Sequence, residues 1–122
     1  MNVTAISSTK KFHAVTTAST NIASLAAVPT GLDGFSAWAS VTCYLKVFDK
    51  ASAPVLGTDI PTMTFQIPAN VPQRIDWGVE TCAMRLGLQI AVTLNPADLD
   101  TTVLAAANTS GVEVFYTPQS GA

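Results

Sequence analysis

The chain has 122 residues, enough for one domain with its own hydrophobic core and too few for two. Apolar residues make up 48 % of it, but charged residues only 11 %, against roughly 25 % in ordinary domains. Its formal net charge is −2, with the six cations scattered as Lys10, Lys11, Lys46, Lys50, Arg74 and Arg85. This excludes the concentrated positive footprint that direct nucleic-acid binding requires. No run approaches the ~18 apolar residues of a membrane-spanning helix.

Residues 1–11 are small and polar and read as an extended arm, with Lys10 and Lys11 at its end. The lysines follow the apolar residues instead of preceding them, so the segment does not read as a secretory signal and synthesis in the cytoplasm is expected. The body is expected over residues 12–117. Phe12–Ala18 is rich in β-branched and aromatic residues, and Asn21–Val28 is a weaker run ended by Pro29-Thr30-Gly31.

Gly34–Asp49 carries the strongest period-two signal. Phe35, Ala37 and Ala39 alternate with Ser36, Trp38 and Ser40, and Cys43, Leu45 and Val47 then alternate with Tyr44, Lys46 and Phe48. The region is too long for one strand, so a break is expected near Ser40-Val41-Thr42. Lys50–Pro61, with Pro54, Gly57, Asp59 and Pro61, reads as loop.

Thr62–Ile67 alternates again, with Met63, Phe65 and Ile67 toward the core. Pro68–Pro72 is a turn, and Arg74–Trp77 and Thr81–Met84 are short strands. Gly87–Leu94 reads as a central strand with Leu88, Ile90, Val92 and Leu94 in phase. Asn95–Thr102 is acidic loop. Asp98–Ala107 has a rival helical spacing that its β-branched Thr101-Thr102-Val103 weakens. Gly111–Thr117 closes the domain, and residues 118–122 form a tail. The expected fold is all-β: a single small β-sandwich or jelly-roll of about eight antiparallel strands, with turns at the spacing such folds show.

Catalytic patterning is absent from the sequence, and no enzyme, cofactor or metal is expected. His13 is the sole histidine, too few for a histidine-based triad within one chain. No nucleophile elbow, Cys-x-x-Cys pair, His-Glu-x-x-His motif or glycine-rich phosphate loop occurs. Cys43 and Cys82 are expected as free buried thiols. Asp76 and Glu80 flank Trp77, an arrangement that suits a sugar site, although a strand tryptophan more often serves a core or an interface. Asp98-Leu99-Asp100 lacks the glycine and distal glutamate of a calcium loop.

A low-charge surface is weakly protected against association and suits a protein covered in part by neighbours. Aromatics on outward strand faces are the expected contacts. Trp38, Tyr44, Phe48, Trp77 and Tyr116 are the candidates.

The segment Tyr44-Leu45-Lys46-Val47-Phe48-Asp49-Lys50-Ala51-Ser52-Ala53-Pro54-Val55-Leu56-Gly57-Thr58-Asp59-Ile60-Pro61 resembles a strand-and-loop phrase of small tailed-phage proteins. Pro68-Ala69, Ile90-Ala91-Val92-Thr93 and Ala97-Asp98-Leu99-Asp100-Thr101-Thr102 follow in the same order, so the resemblance spans about residues 12–117. It implies a virion protein of the capsid decoration or cement type, whose partners are the major capsid protein and copies of itself as a dimer or trimer, with Lys10 and Lys11 of the arm and the Lys50–Pro61 loop expected at the contacts. Trp38 and the Cys43/Cys82 pair depart from that pattern. The competing expectation is a tail-fibre or baseplate module that binds a host-surface glycan through Trp77 or Trp38.

Overall fold

Alternating patterns become strands throughout the computed structural model, which describes residues 10–14, 22–77, 81–102, 104 and 108–118, with the backbone alone for 10–14, 23 and 109–111. The strands are β1 (Lys10–Ala14), β2 (Ile22–Ala26), β3 (Thr30–Ala39), β4 (Cys43–Phe48), β5 (Met63–Ile67), β6 (Gln73–Asp76), β7 (Cys82–Met84), β8 (Leu88–Thr93) and β9 (Thr109–Pro118). One antiparallel sheet runs β1-β9-β3-β6, with β7 also paired to β3, and the other runs β2-β8-β4-β5. β6 and β7 share one strand position. Gln73–Asp76 pairs with Gly34–Ala37, and Cys82–Met84 continues along β3 at Thr30–Leu32. Among the described residues nine segments therefore fill eight places, in line with the about eight strands expected.

The pairs β1–β9, β2–β8, β3–β6 and β4–β5 are nested in sequence, which is how strands pair when one long hairpin is folded over on itself. The two sheets share one core. Leu32, Phe35, Ala37, Ala39, Val112, Val114 and Tyr116 from the first meet Cys43, Leu45, Val47, Ile67, Leu88, Ile90 and Val92 from the second. Along one open side an aromatic chain bridges the sheets. The rings of Phe35 and Phe65 lie 5.0 Å apart, and Phe65 meets Trp77 edge-on at 5.9 Å.

Several expected boundaries shift. β1 begins at Lys10, inside the segment expected as an arm; residues 1–9 lie outside the described residues, as do 119–122. β3 starts at Thr30 and β9 at Thr109, each earlier than the sequence pattern indicates, because the two strands pair with each other along almost their whole length. The rival helix does not form over Asp98–Thr102, which is turn and irregular structure; Val103 and residues 105–107 lie outside the described residues.

Where β3 meets β9, the register slips between Leu32 and Gly34, leaving Asp33 as a bulge residue. Asp33 accepts the Trp77 N–H at its carbonyl (2.9 Å) and the Thr117 hydroxyl at its carboxylate (2.7 Å). The bulge thus faces the interruption between β6 and β7. Here a side chain is excluded, because a Cβ on Gly34 would sit 2.2 Å from the Ile75 carbonyl oxygen. Gly34→Ala must open the β3–β6 pairing, and we expect a loss of about 1–3 kcal/mol, as for other overpacked interiors. Urea unfolding measures it, and a loss below about 0.5 kcal/mol contradicts the close approach.

Candidate functional site

The outer face of the second sheet is the one most changed from expectation. Phe48 and Lys46 point away from the core formed by Cys43, Leu45 and Val47, yet they are 1 % and 0 % exposed. On β8 the same is true of Gln89, Ala91 and Thr93. The chain's own loops close over this centre. Lys46 Nζ donates to the Ala97 carbonyl, and the Thr93 hydroxyl donates to the Asn95 carbonyl (2.9 Å). Phe48, expected as an outward contact, is therefore an interior residue. Tyr44 is half-buried near the margin of the same face, where Thr64 and Gln66 are exposed.

Charged groups on this side organise the cover. Asp100 accepts the Asn95 backbone N–H (3.2 Å), the Asn95 side-chain amide (3.3 Å), the Thr102 N–H (3.3 Å) and the Thr102 hydroxyl. Desolvation pushes its carboxyl up, but these donors outweigh it and hold the group below its ordinary value. Gln89 Nε2 donates to both the Ala26 (3.1 Å) and Lys50 (3.0 Å) carbonyls, tying the ends of β2 and β4 together. A Cβ on Gly87 would lie 2.4 Å from each of those same oxygens.

One end of the sandwich collects the β2–β3, β4–β5 and β7–β8 connections, as the pairings Ala26↔Leu88, Phe48↔Gln89 and Thr30↔Met84 require. Asp49 fixes it by accepting the N–H groups of Arg85 (2.9 Å), Leu86 (2.8 Å) and Gly87 (3.3 Å). Desolvation raises the Asp49 carboxyl, while those three amides and the Arg85 charge lower it further, leaving it below its usual range. In the Lys50–Pro61 loop, Lys50 Nζ and the Val55 N–H both donate to Asp59 Oδ2 at 2.7 Å. The Lys50 hydrogen bond first, then that of Val55, hold the Asp59 carboxyl low. Lys50, expected at a contact, is partly exposed and staples its own loop. The turn at Gly57 takes φ 89°, a conformation natural to glycine.

The connections at that stapled end carry exposed apolar side chains, Val28, Val55, Ile60 (67 % exposed) and Leu86, while Val71 and Leu99 are exposed in other connections. Beside that end, an open depression of about 420 Å³ is lined by Pro29, Thr30, Gly31, Thr81, Ala83, Met84 and Arg85. The Thr30 hydroxyl donates to the Val28 carbonyl (2.7 Å), so its proton is engaged within the fold. The lining contains no nucleophile paired with a base. It is mainly apolar, with the Arg85 cation at the rim.

Trp38 lies on the outer face of the first sheet, opposite Ala37 and Ala39, and is half-buried. Phe115 shares that face and carries the Arg74 guanidinium 5.5 Å above its ring centre. Trp77 is also half-buried, but it packs on the core and edge-on against Phe65. Its flanking Glu80 lies outside the described residues. Tyr116 is 8 % exposed, in the core, and its hydroxyl points to the Leu25 carbonyl (3.5 Å). Lys10 and Lys11 stand in β1 opposite Tyr116 and Phe115 of β9. Val55 and Ile60 lie in the Lys50–Pro61 loop expected at contacts, though their apolar side chains carry no period that singles them out; Val28 and Leu86 were missed for the same reason, and Phe115 because its closing strand shows no clear alternation.

Both cysteines are free. Cys43 is fully buried and desolvation pushes its thiol up to about 11, whereas Cys82, expected to be buried, is half-buried on a three-residue strand beside the β6–β7 interruption. A disulfide reagent applied to folded protein should titrate Cys82 first and reach Cys43 only on unfolding. Equal rates would contradict the burial. Among the described residues no three of His, Cys, Asp and Glu converge as metal ligands, and no helix is long and apolar enough to cross a membrane.

Asp49, Asp59 and Asp100 predict the acid limb of stability. Their folded values lie below 3.8, so their contribution is complete above the ordinary aspartate value and is lost as pH falls through the lowered folded values. Asp49→Asn should shrink the acid-dependent part of the stability measured by denaturant unfolding between pH 5 and pH 2, and an unchanged slope would exclude its role. Comparison of the chain with family models, with curated proteins and with solved structures returns no match in any of the three, so none adds to the resemblance over residues 44–61.

Proposed function

We propose that the chain is a non-catalytic decoration protein of a phage head, a jelly-roll that caps contacts between major capsid subunits and stabilises the mature shell. The observation that carries this reading is the stapled end with Val28, Val55, Ile60 and Leu86 exposed. Apolar groups on a backbone held by Asp49 and by the Lys50–Asp59 pair (2.7 Å) are already ordered before contact, so binding costs little conformational entropy. The charged fraction of 11 % leaves little repulsion to prevent close approach of many copies. Such a protein stabilises a shell by binding the assembled lattice better than the dissociated one, and many weakly held copies make the shell durable through multivalency.

A glycan-binding tail module draws less support, since the Trp77 ring is engaged with Phe65 and the core. Quantitative mass spectrometry of purified particles separates the two. A copy number near parity with the major shell protein, or a simple fraction of it, is expected for a decoration protein. A handful of copies per particle would contradict it and favour the tail.

A further inference from the structure

Exposed sheet edges are templates for another strand, and proteins guard them with charge, proline, bulges or interruption. The described strands leave four edge positions, and three of them are guarded. β1 carries Lys10 and Lys11, and β2 is bulged between Ser24 and Ala26. The shared β6/β7 position bears exposed Arg74 and Asp76 and is broken between its two segments. Among the described residues β5 has none of these devices. Its five residues, Met63-Thr64-Phe65-Gln66-Ile67, contain no charge and no proline, and their register against β4 runs without a shift. Thr64 and Gln66 are exposed, while Met63 and Phe65 are half-buried.

We infer that β5 is a homotypic pairing edge, at which a second copy of this chain adds its own β5 antiparallel across a two-fold axis. The strand's neutrality allows this occupant, because two identical edges meet without like-charge opposition. Its alternation selects the register. Pairing centred on Phe65 uses all five residues and sets Thr64 opposite Gln66 of the second copy on the outer face, with Met63 opposite Ile67 of the second copy on the inner face. A one-residue slip would set outward residues against inward ones. Pro61 and Pro68 bracket the strand and end the pairing at both sides. The two four-stranded sheets would then continue as one of eight strands, an isologous interface of the kind that closes a dimer. This inference concerns self-association and is independent of whether the larger partner is a phage shell.

Sedimentation velocity on the full chain tests it, with Thr64→Lys/Gln66→Lys and Thr64→Glu/Gln66→Glu as variants. Both positions are exposed on the outer face, and far-UV circular dichroism and melting establish that each variant is folded. The wild-type chain should dimerise. Each charged variant should associate about tenfold or more weakly, since every two-fold pairing then sets like charges opposite each other twice. An equimolar mixture of the two variants should recover the dimer. A wild-type chain that stays monomeric at about millimolar concentration, far above what a specific interface needs, overturns the inference. So does a dimer that both variants leave unchanged. If the chain is monomeric and the variants lose binding to shells instead, the occupant of the edge is a strand of the shell protein and self-pairing is excluded.

Discussion

Phe35→Ala is expected to lower the free energy of unfolding by about 3–5 kcal/mol, the range for truncating a buried phenylalanine. The ring is 1 % exposed and belongs to the core shared by both sheets. Its centre also lies 5.0 Å from that of Phe65, tilted against it, and Phe65 in turn meets Trp77, so losing the Phe35 ring leaves a gap along the side where these rings bridge the sheets. Aromatic pairs of this geometry contribute about 0.5–1.5 kcal/mol beyond their buried area. Phe35→Leu, which keeps much of the volume, should lose less, and Phe115→Ala on the outer face should lose less again. Urea denaturation at neutral pH orders the three. A Phe35→Ala loss under about 1 kcal/mol would contradict the shared core.

Lys46 offers the second large effect, with a sign that depends on the replacement. Lys46→Glu places a carboxylate under the loop cover beside Asp98 and Asp100, where an uncompensated buried charge costs about 3–5 kcal/mol. Lys46→Met keeps the apolar stem and gives up the bond to the Ala97 carbonyl, so its loss should stay near 1–2 kcal/mol. Desolvation lowers the Lys46 pKa from 10.5, and the charges of Asp100 and Asp98 only partly oppose that. Between the lowered folded value and the ordinary one, the unfolded chain binds more protons at this lysine, so the Lys46 contribution to stability rises with pH there. The raised Cys43 thiol lowers alkaline stability in both chains, so the measurement is the difference: the stability of the wild-type chain minus that of Lys46→Met should rise with pH between pH 7 and pH 10. A Lys46→Glu chain as stable as wild type would mean that the loops do not close over the sheet.

Period-two patterning made the strands and the inward faces legible. Met63, Phe65 and Ile67, and Leu88, Ile90 and Val92, lie where their alternation puts them, all against the core. What alternation cannot carry is the cover on the other side of a strand. Lys46, Phe48 and Gln89 read as outward, and they are outward, but residues some fifty positions away close over Lys46 through the Ala97 carbonyl. The same holds for Lys50, whose partner Asp59 lies in its own loop but is chosen by a turn that only Gly57 at φ 89° permits. Trp38 was legible as an outward aromatic because Ala37 and Ala39 are small and apolar on either side of it.

The exposed end was the least legible part. Val55 and Ile60 sit among Pro54, Gly57, Asp59 and Pro61, a composition that announces a loop but not what the loop displays. Their exposure follows from the inward commitment of their neighbours. Pro54 is buried, and Asp59 turns in to Lys50 and Val55. Leu86 is exposed for a related reason, since the Asp49 carboxylate holds its backbone and leaves its side chain outside.

Reconstitution on shells tests the central claim most directly. Phage heads assembled without this chain would be mixed with the purified protein, and bound copies counted per shell subunit after sedimentation. We expect saturable binding at a simple fraction of the shell subunits, a higher temperature of shell disruption, and loss of both in Val55→Asp/Ile60→Asp, which should fold normally because both sites are exposed. Binding of only a few copies per head, or full binding by the doubly charged variant, would contradict it.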